Sequence, residues 1–187
     1  MNKTLLSAAL IAGFGIAATS PLAARAATNT VTINGKILSA TCSASVNGGT
    51  NGGTVTLPDE PATAFTAVGS VAGATPFTIA LSGCPTTPSG VVVGAQFYSA
   101  ANADTATGTL KNTGVTGVDV QLLDSGSTAV PIATAAQTPG NNTGVTDPTT
   151  LTGATASLNY TAQYYATAAS VSSGTVSTNV NFVINYQ

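Results

Sequence analysis

The 187-residue sequence contains no histidine and no tryptophan, with two cysteines and a single methionine. Charged residues make up only 5% of it. Each scarcity removes a class of chemistry. Without an imidazole, a Ser-His-Asp or Cys-His device lacks its base. A histidine-containing zinc site is excluded, and two cysteines are too few for an all-cysteine one. Asp59 and Glu60 are the only adjacent carboxylates. Neighbours on an extended chain point to opposite sides, so they make no paired acid–base device without loop geometry to turn them. The Gly/Asn-rich stretch over residues 47–53 is followed by neither Lys-Ser/Thr nor a helical pattern, which argues against a phosphate cradle. The expectation is a protein with no enzymatic activity and no cofactor.

Long apolar runs are equally rare, and the one that exists opens the sequence. Residues 1–26 read as a secretory signal: Lys3 supplies the positive start, residues 5–18 the apolar run, and Ala24-Arg25-Ala26 the small-x-small cleavage pattern. Fourteen apolar residues fall short of the ~20 that a spanning helix needs. Cleavage after Ala26 leaves Lys36 and Lys111 against Asp59, Glu60, Asp104, Asp119, Asp124 and Asp147, a net charge of −4. So acidic a chain has no means of holding a phosphate backbone, and no nucleic-acid partner is expected. Cys42 and Cys84, an even count behind an export signal, suggest one disulfide made in an oxidising compartment. It would close a loop of about 42 residues, worth ~4 kcal/mol on the loop-entropy account.

Gly, Ala, Thr, Ser, Asn and Val dominate what remains. Thr and Val suit strands, and Gly and Asn suit the turns between them. No stretch past the signal carries the three-and-four spacing of an amphipathic helix. Strands are expected over 35–42, 55–57, 76–84, 91–99, 109–112, 118–122 and 156–166. Residues 129–133 are read as a hairpin partner of 118–122, and 134–152 as a loop. Some seven short strands joined by turn-rich loops predict an all-β sandwich.

The last fourteen residues carry the most information. Val176, Val180, Phe182, Ile184 and Tyr186 share one parity with Thr178, while Ser177, Asn179, Asn181 and Asn185 take the other; Val183 is the apolar exception. Period two predicts a strand with one apolar face. The sequence stops one residue later, at Gln187, so this strand has no hairpin partner after it. An unpaired edge recruits strands from other molecules. At the opposite end, residues 27–34 form a short extension in which Ala27, Asn29, Val31 and Ile33 share a face.

Five segments in this order resemble the pilin subunits of chaperone–usher (type 1-like) fimbriae. They are Gly35-Lys-Ile-Leu-Ser-Ala-Thr-Cys42, Phe77-Thr-Ile-Ala-Leu-Ser-Gly-Cys84, Gly117-Val-Asp-Val-Gln-Leu-Leu-Asp124, Tyr160-Thr-Ala-Gln-Tyr-Tyr-Ala-Thr167, and Gly174 followed by alternation to the penultimate Tyr186. The resemblance covers nearly all of the chain beyond residue 26. It implies an incomplete immunoglobulin-like sandwich, residues 35–187, that lacks its G strand and is completed by donor-strand complementation, a form of β-augmentation. It further implies that residues 27–34 are the donor strand, with Ala27, Asn29, Val31 and Ile33 facing a neighbour's groove. Val176, Val180, Phe182, Ile184, Tyr186 and Gln187 would form the strand that accepts the donor or a chaperone. The implied partners are identical or related subunits in a head-to-tail polymer, a periplasmic chaperone and an outer-membrane usher. The expected location is an extracellular fimbrium, reached through the periplasm, and the expected role is a structural subunit supporting adhesion, with the major rod pilin preferred. The alternatives are a minor or adaptor pilin, or a secreted carbohydrate-binding sandwich that stacks sugar on Tyr98, Tyr160, Tyr164 and Tyr165.

Overall fold

Alternating Val, Ile, Phe and Tyr positions fold into two facing sheets. The computed structural model describes residues 31–32, 35, 37–50, 52–137 and 141–187. The chain divides into two units, Met1–Lys36 and Ile37–Gln187. Of the first unit, Val31 is 83% exposed. Residues 1–26, with Ala27, Asn29 and Ile33, lie outside the described residues.

Among the described residues the second unit contains ten strands: β1 (Ser43–Val46), β2 (Val71–Ser82), β3 (Val92–Tyr98), β4 (Ala103–Asp104), β5 (Thr109–Leu110), β6 (Val118–Leu123), β7 (Ile132–Ala133), β8 (Val145–Thr150), β9 (Ala156–Ala166) and β10 (Asn181–Tyr186). One sheet runs β1-β2-β9-β6-β5-β4. The other runs β10-β3-β7, with β8 also paired to β3. Every pairing is antiparallel except β3 with β7.

The pleat sends alternate residues inward. From β2 come Phe77, Ile79 and Leu81, from β3 Val93, Ala95 and Phe97, from β6 Val120 and Leu122, and from β9 Leu158, Tyr160 and Ala162. Tyr160 sits at the centre. Its ring stacks on Phe77 at 5.6 Å and meets Phe97 edge-on at 4.9 Å. Burial of this kind contributes roughly 1.5–3 kcal/mol for each large apolar side chain. Cys42 and Cys84 are joined. Because Ser43 pairs with Ser82, the disulfide closes the end of the β1–β2 ladder.

Several segments differ from the sequence reading. The brief strand expected over 55–57 lies in no ladder among the described residues, although Val55 and Leu57 still pack against the core. The opening strand, expected over 35–42, begins only after the first cysteine. Residues 37–42 have no ladder partner among the described residues, although Leu38 and Cys42 still pack against the core. The expected hairpin over 129–133 is divided: Ala129 bridges Leu123, then Ile132 and Ala133 cross to run parallel to β3. The loop expected over 134–152 contains β8, whose ladder shifts register between Val93 and Ala95, where Asp147 takes a left-handed φ of 49°. A one-residue irregularity of this type opens the ladder around a proline, here Pro148, that could not donate to it.

Candidate functional site

The site is the free edge of β10. β3 pairs with one side of this strand, and among the described residues no strand pairs with the other. Val92 and Gln187 exchange both backbone hydrogen bonds, at 3.3 and 2.8 Å. The register then makes Asn185/Gly94, Val183/Gln96 and Asn181/Tyr98 the pairs bonded to β3. In an antiparallel ladder the intervening residues direct their N–H and C=O groups away from the partner. Those residues are Phe182, Ile184 and Tyr186. Their partners across the ladder are Phe97, Ala95 and Val93, all core residues. The same three positions therefore aim backbone groups at the open edge and side chains at the core.

Apolar side chains and unpaired backbone thus coincide. Phe182, Ile184 and Tyr186 are only half-buried, while their partners on β3 are at most 1% exposed. Phe182 leans on Phe97 with ring centres 6.1 Å apart. An added strand would receive a ladder from these residues and would cover their apolar surface at once. On the outer face of β10, Asn185 is buried beside Gly94, where the Val145 side chain and Pro148 lie close.

Tyr186 adds a brace that alternation does not reveal. Its hydroxyl accepts the N–H of Cys42 at 2.6 Å, linking the last strand to the disulfide across 144 positions of sequence. Val176 and Val180 were expected within the last strand. They lie instead in a stretch outside any ladder, half-buried against the core. That stretch is held by residues 102–113, through polar contacts that sequence reasoning did not find.

The tyrosine platform considered for sugar does not exist. Tyr160 is 2% exposed and enclosed by Phe77 and Phe97. Its hydroxyl donates to the Thr146 carbonyl at 3.3 Å, and burial raises its pKa. Tyr98 belongs to β3 and Tyr164 and Tyr165 to β9, in different sheets. Tyr164 donates to the Pro58 carbonyl at 3.2 Å and meets Phe65 edge-on. Tyr160 packs in the core, Tyr164 anchors at Pro58, and the four tyrosines are divided between the two sheets.

The carboxylates are also dispersed. Asp119 is buried on β6 and accepts the Thr109 hydroxyl at 2.7 Å; burial raises its pKa against the opposing pull of that bond. Asp104 is held low, chiefly by the amide of Ala106. Asp59 and Glu60 are exposed. No group of three metal-binding side chains occurs among the described residues.

Comparison with known proteins places this geometry in context. A family model described as FimA, type-1 fimbrial protein A, matches residues 57–187. The chain is 37% identical over 178 residues to an F17 fimbrial protein of Escherichia coli, an alignment that covers 92% of this chain and 94% of that one. It is 40% identical over 177 residues to the major fimbrial subunit SMF-1 of Stenotrophomonas maltophilia, covering 90% and 98%. Among solved structures, the P pilus rod subunit PapA superposes with a TM-score of 0.61 at 21% identity, over 79% of this chain and all of that one. At that identity the likeness speaks for the fold alone.

Proposed function

The chain belongs to the type-1 fimbrial protein A family, and on that premise we propose that it polymerises by lending residues 27–34 to the open edge of β10 on the next copy. It is a structural subunit of a bacterial surface fimbria, in a family of building blocks instead of enzymes. The fold is an immunoglobulin-like sandwich without its G strand. The observation that carries the proposal is the coincidence at Phe182, Ile184 and Tyr186 of outward-facing backbone and half-exposed apolar side chains. Val180 and Val176 extend the accepting surface upstream, and Gln187 ends it.

Val31 and Ile33 are the apolar pair of the donor, with Ala27 and Asn29 on the same face. The 83% exposure of Val31 suits a side chain whose pocket belongs to another molecule. Each apolar plug contributes ~1.5–3 kcal/mol when fully covered. Since donor and acceptor are different surfaces, the contact is head-to-tail, and a rotation that does not close yields a filament. Until a donor arrives, the same edge needs temporary cover. A periplasmic chaperone supplying a strand, followed by exchange at an outer-membrane usher, meets that need and follows removal of a signal over residues 1–26. The 40% identity to a major fimbrial subunit favours the rod over a minor or adaptor role.

The test replaces Val31 and Ile33 together by Asp and expresses the chain with its export and assembly partners. Folded subunit is expected in the periplasm, with no filaments on the cell by electron microscopy. Normal filaments from this variant would overturn the donor assignment.

A further inference from the structure

The ladder of β10 is shorter than the surface assigned to it. Backbone pairing with β3 runs from Asn181 to Gln187. The apolar parity runs from Val176 to Tyr186. Eight donor residues in extended form reach about 27 Å, whereas the open groups of Phe182, Ile184 and Tyr186 span only about 14 Å at the same rise. A donor that uses its whole length therefore needs residues 175–180 held straight. Left unrestrained, such a segment loses the conformational entropy of ordering at the moment of binding.

Nothing in the sheet holds it, because residues 175–180 belong to no ladder. A set of polar contacts from residues 102–113 does. Asn102 Nδ2 donates to both the backbone carbonyl and Oδ1 of Asn179, each at 3.1 Å. The Thr178 hydroxyl donates to the Lys111 carbonyl at 2.7 Å. The amide of Thr113 donates to the Ser177 carbonyl at 3.1 Å. Asn102 is itself fixed at two points: its amide donates to Ser99 Oγ, and its carbonyl accepts the amide of Lys111 at 2.7 Å. The fit continues to Gly114, where an added methyl would overlap the carbonyl of Thr175.

We propose that Asn102, with Thr178, is a positioning clasp that holds residues 175–180 extended and so lengthens the strand-accepting edge beyond β10. Val176 and Val180 remain packed against the core. It touches no donor; it acts through the segment it straightens. The inference rests on the donor-strand reading above.

The test uses the full exported chain and a fluorescent peptide of sequence 27–36, beside a peptide stopping at residue 32. A donor antiparallel to β10, as in a complete sandwich, places its later residues against 175–180. Asn102→Asp is nearly isosteric but cannot donate to Asn179. It is expected to release the longer peptide about tenfold faster, the equivalent of one to two hydrogen bonds. Release of the shorter peptide should not change. Asn179→Ala keeps the backbone acceptor, so a smaller effect is expected, and Thr178→Val should resemble Asn102→Asp. Hydrogen exchange over 175–180 should rise in Asn102→Asp while exchange across β2 and β9 stays as in wild type. Equal release of the longer peptide from wild type and Asn102→Asp overturns the clasp, as does equal acceleration of both peptides. If wild type binds neither peptide, the donor-strand reading itself fails.

Discussion

Tyr186→Phe isolates the brace between the last strand and the disulfide. The substitution keeps the ring, and with it the packing of Tyr186 against the core. It removes only the hydroxyl that accepts the Cys42 amide at 2.6 Å. A typical hydrogen bond contributes about 1 kcal/mol net, and a donor left stranded costs about 1–3 kcal/mol. Cys42 is half-buried, so water reaches part of the vacated site and the lower figure applies. For a domain of this size, about 1 kcal/mol corresponds to a fall in Tm of roughly 2–4 °C. The assay is denaturant unfolding of purified subunit with the disulfide intact, read by tyrosine fluorescence and circular dichroism. The midpoint should fall with the slope unchanged, because the surface exposed on unfolding is the same. Tyr186→Ala, which also loses packing, should fall further. An unchanged midpoint in Tyr186→Phe would refute the claim that this bond ties the two segments together.

Phe97→Ala should destabilise by about 3–5 kcal/mol, since it opens a cavity between Tyr160 and Phe182; a loss under ~1 kcal/mol in chemical denaturation would contradict the described core. Gly94→Ala should destabilise by about 1–3 kcal/mol, because the added methyl overlaps the Val145 side chain and must displace β8; hydrogen exchange across residues 145–150 would report the displacement. Asp119→Asn tests linkage. Burial raises the folded-state pKa of Asp119 above the ordinary 3.8, so its contribution is fully present below that value and is lost as pH rises through the raised one. The asparagine still accepts from Thr109 and carries no charge. It should match wild type in acid and exceed it at neutral pH, and parallel stability–pH curves would refute this. Cys42→Ser should lower the yield of folded subunit by removing a bridge worth ~4 kcal/mol on the loop-entropy account, and equal thermal stability would contradict it.

The parts of this fold that were legible are those whose own alternation meets a full ladder. The strand expected over 156–166 has those bounds in the structure, because β9 is paired on both sides, by β2 and β6. β3 and β6 fall within a residue of their expected limits for the same reason. β8 was hidden because Asp147 and Pro148 interrupt the pattern at the point where the ladder shifts register. Pattern reading cannot see a partner that tolerates an irregularity. The opening segment erred in the opposite sense: residues 35–42 were read as a strand, yet among the described residues 37–42 have no ladder neighbour. Val176 and Val180 show both effects at once. Their parity was right, and they do pack against the core, but the ladder stops short of them. On the proposed clasp, what keeps them in line is a pair of side-chain bonds, Asn102 to Asn179 and Thr178 to the Lys111 carbonyl, spanning 77 and 67 positions of sequence respectively. Such contacts leave no periodic trace. On the proposed donor-strand reading the accepting edge is composite: its downstream half is written in the strand itself and is readable, while its upstream half is imposed by a neighbouring loop. A donor meeting this edge would find one part rigid by ladder and one rigid by clasp. Sequence changes near residue 102 should then alter assembly without touching either strand that assembles.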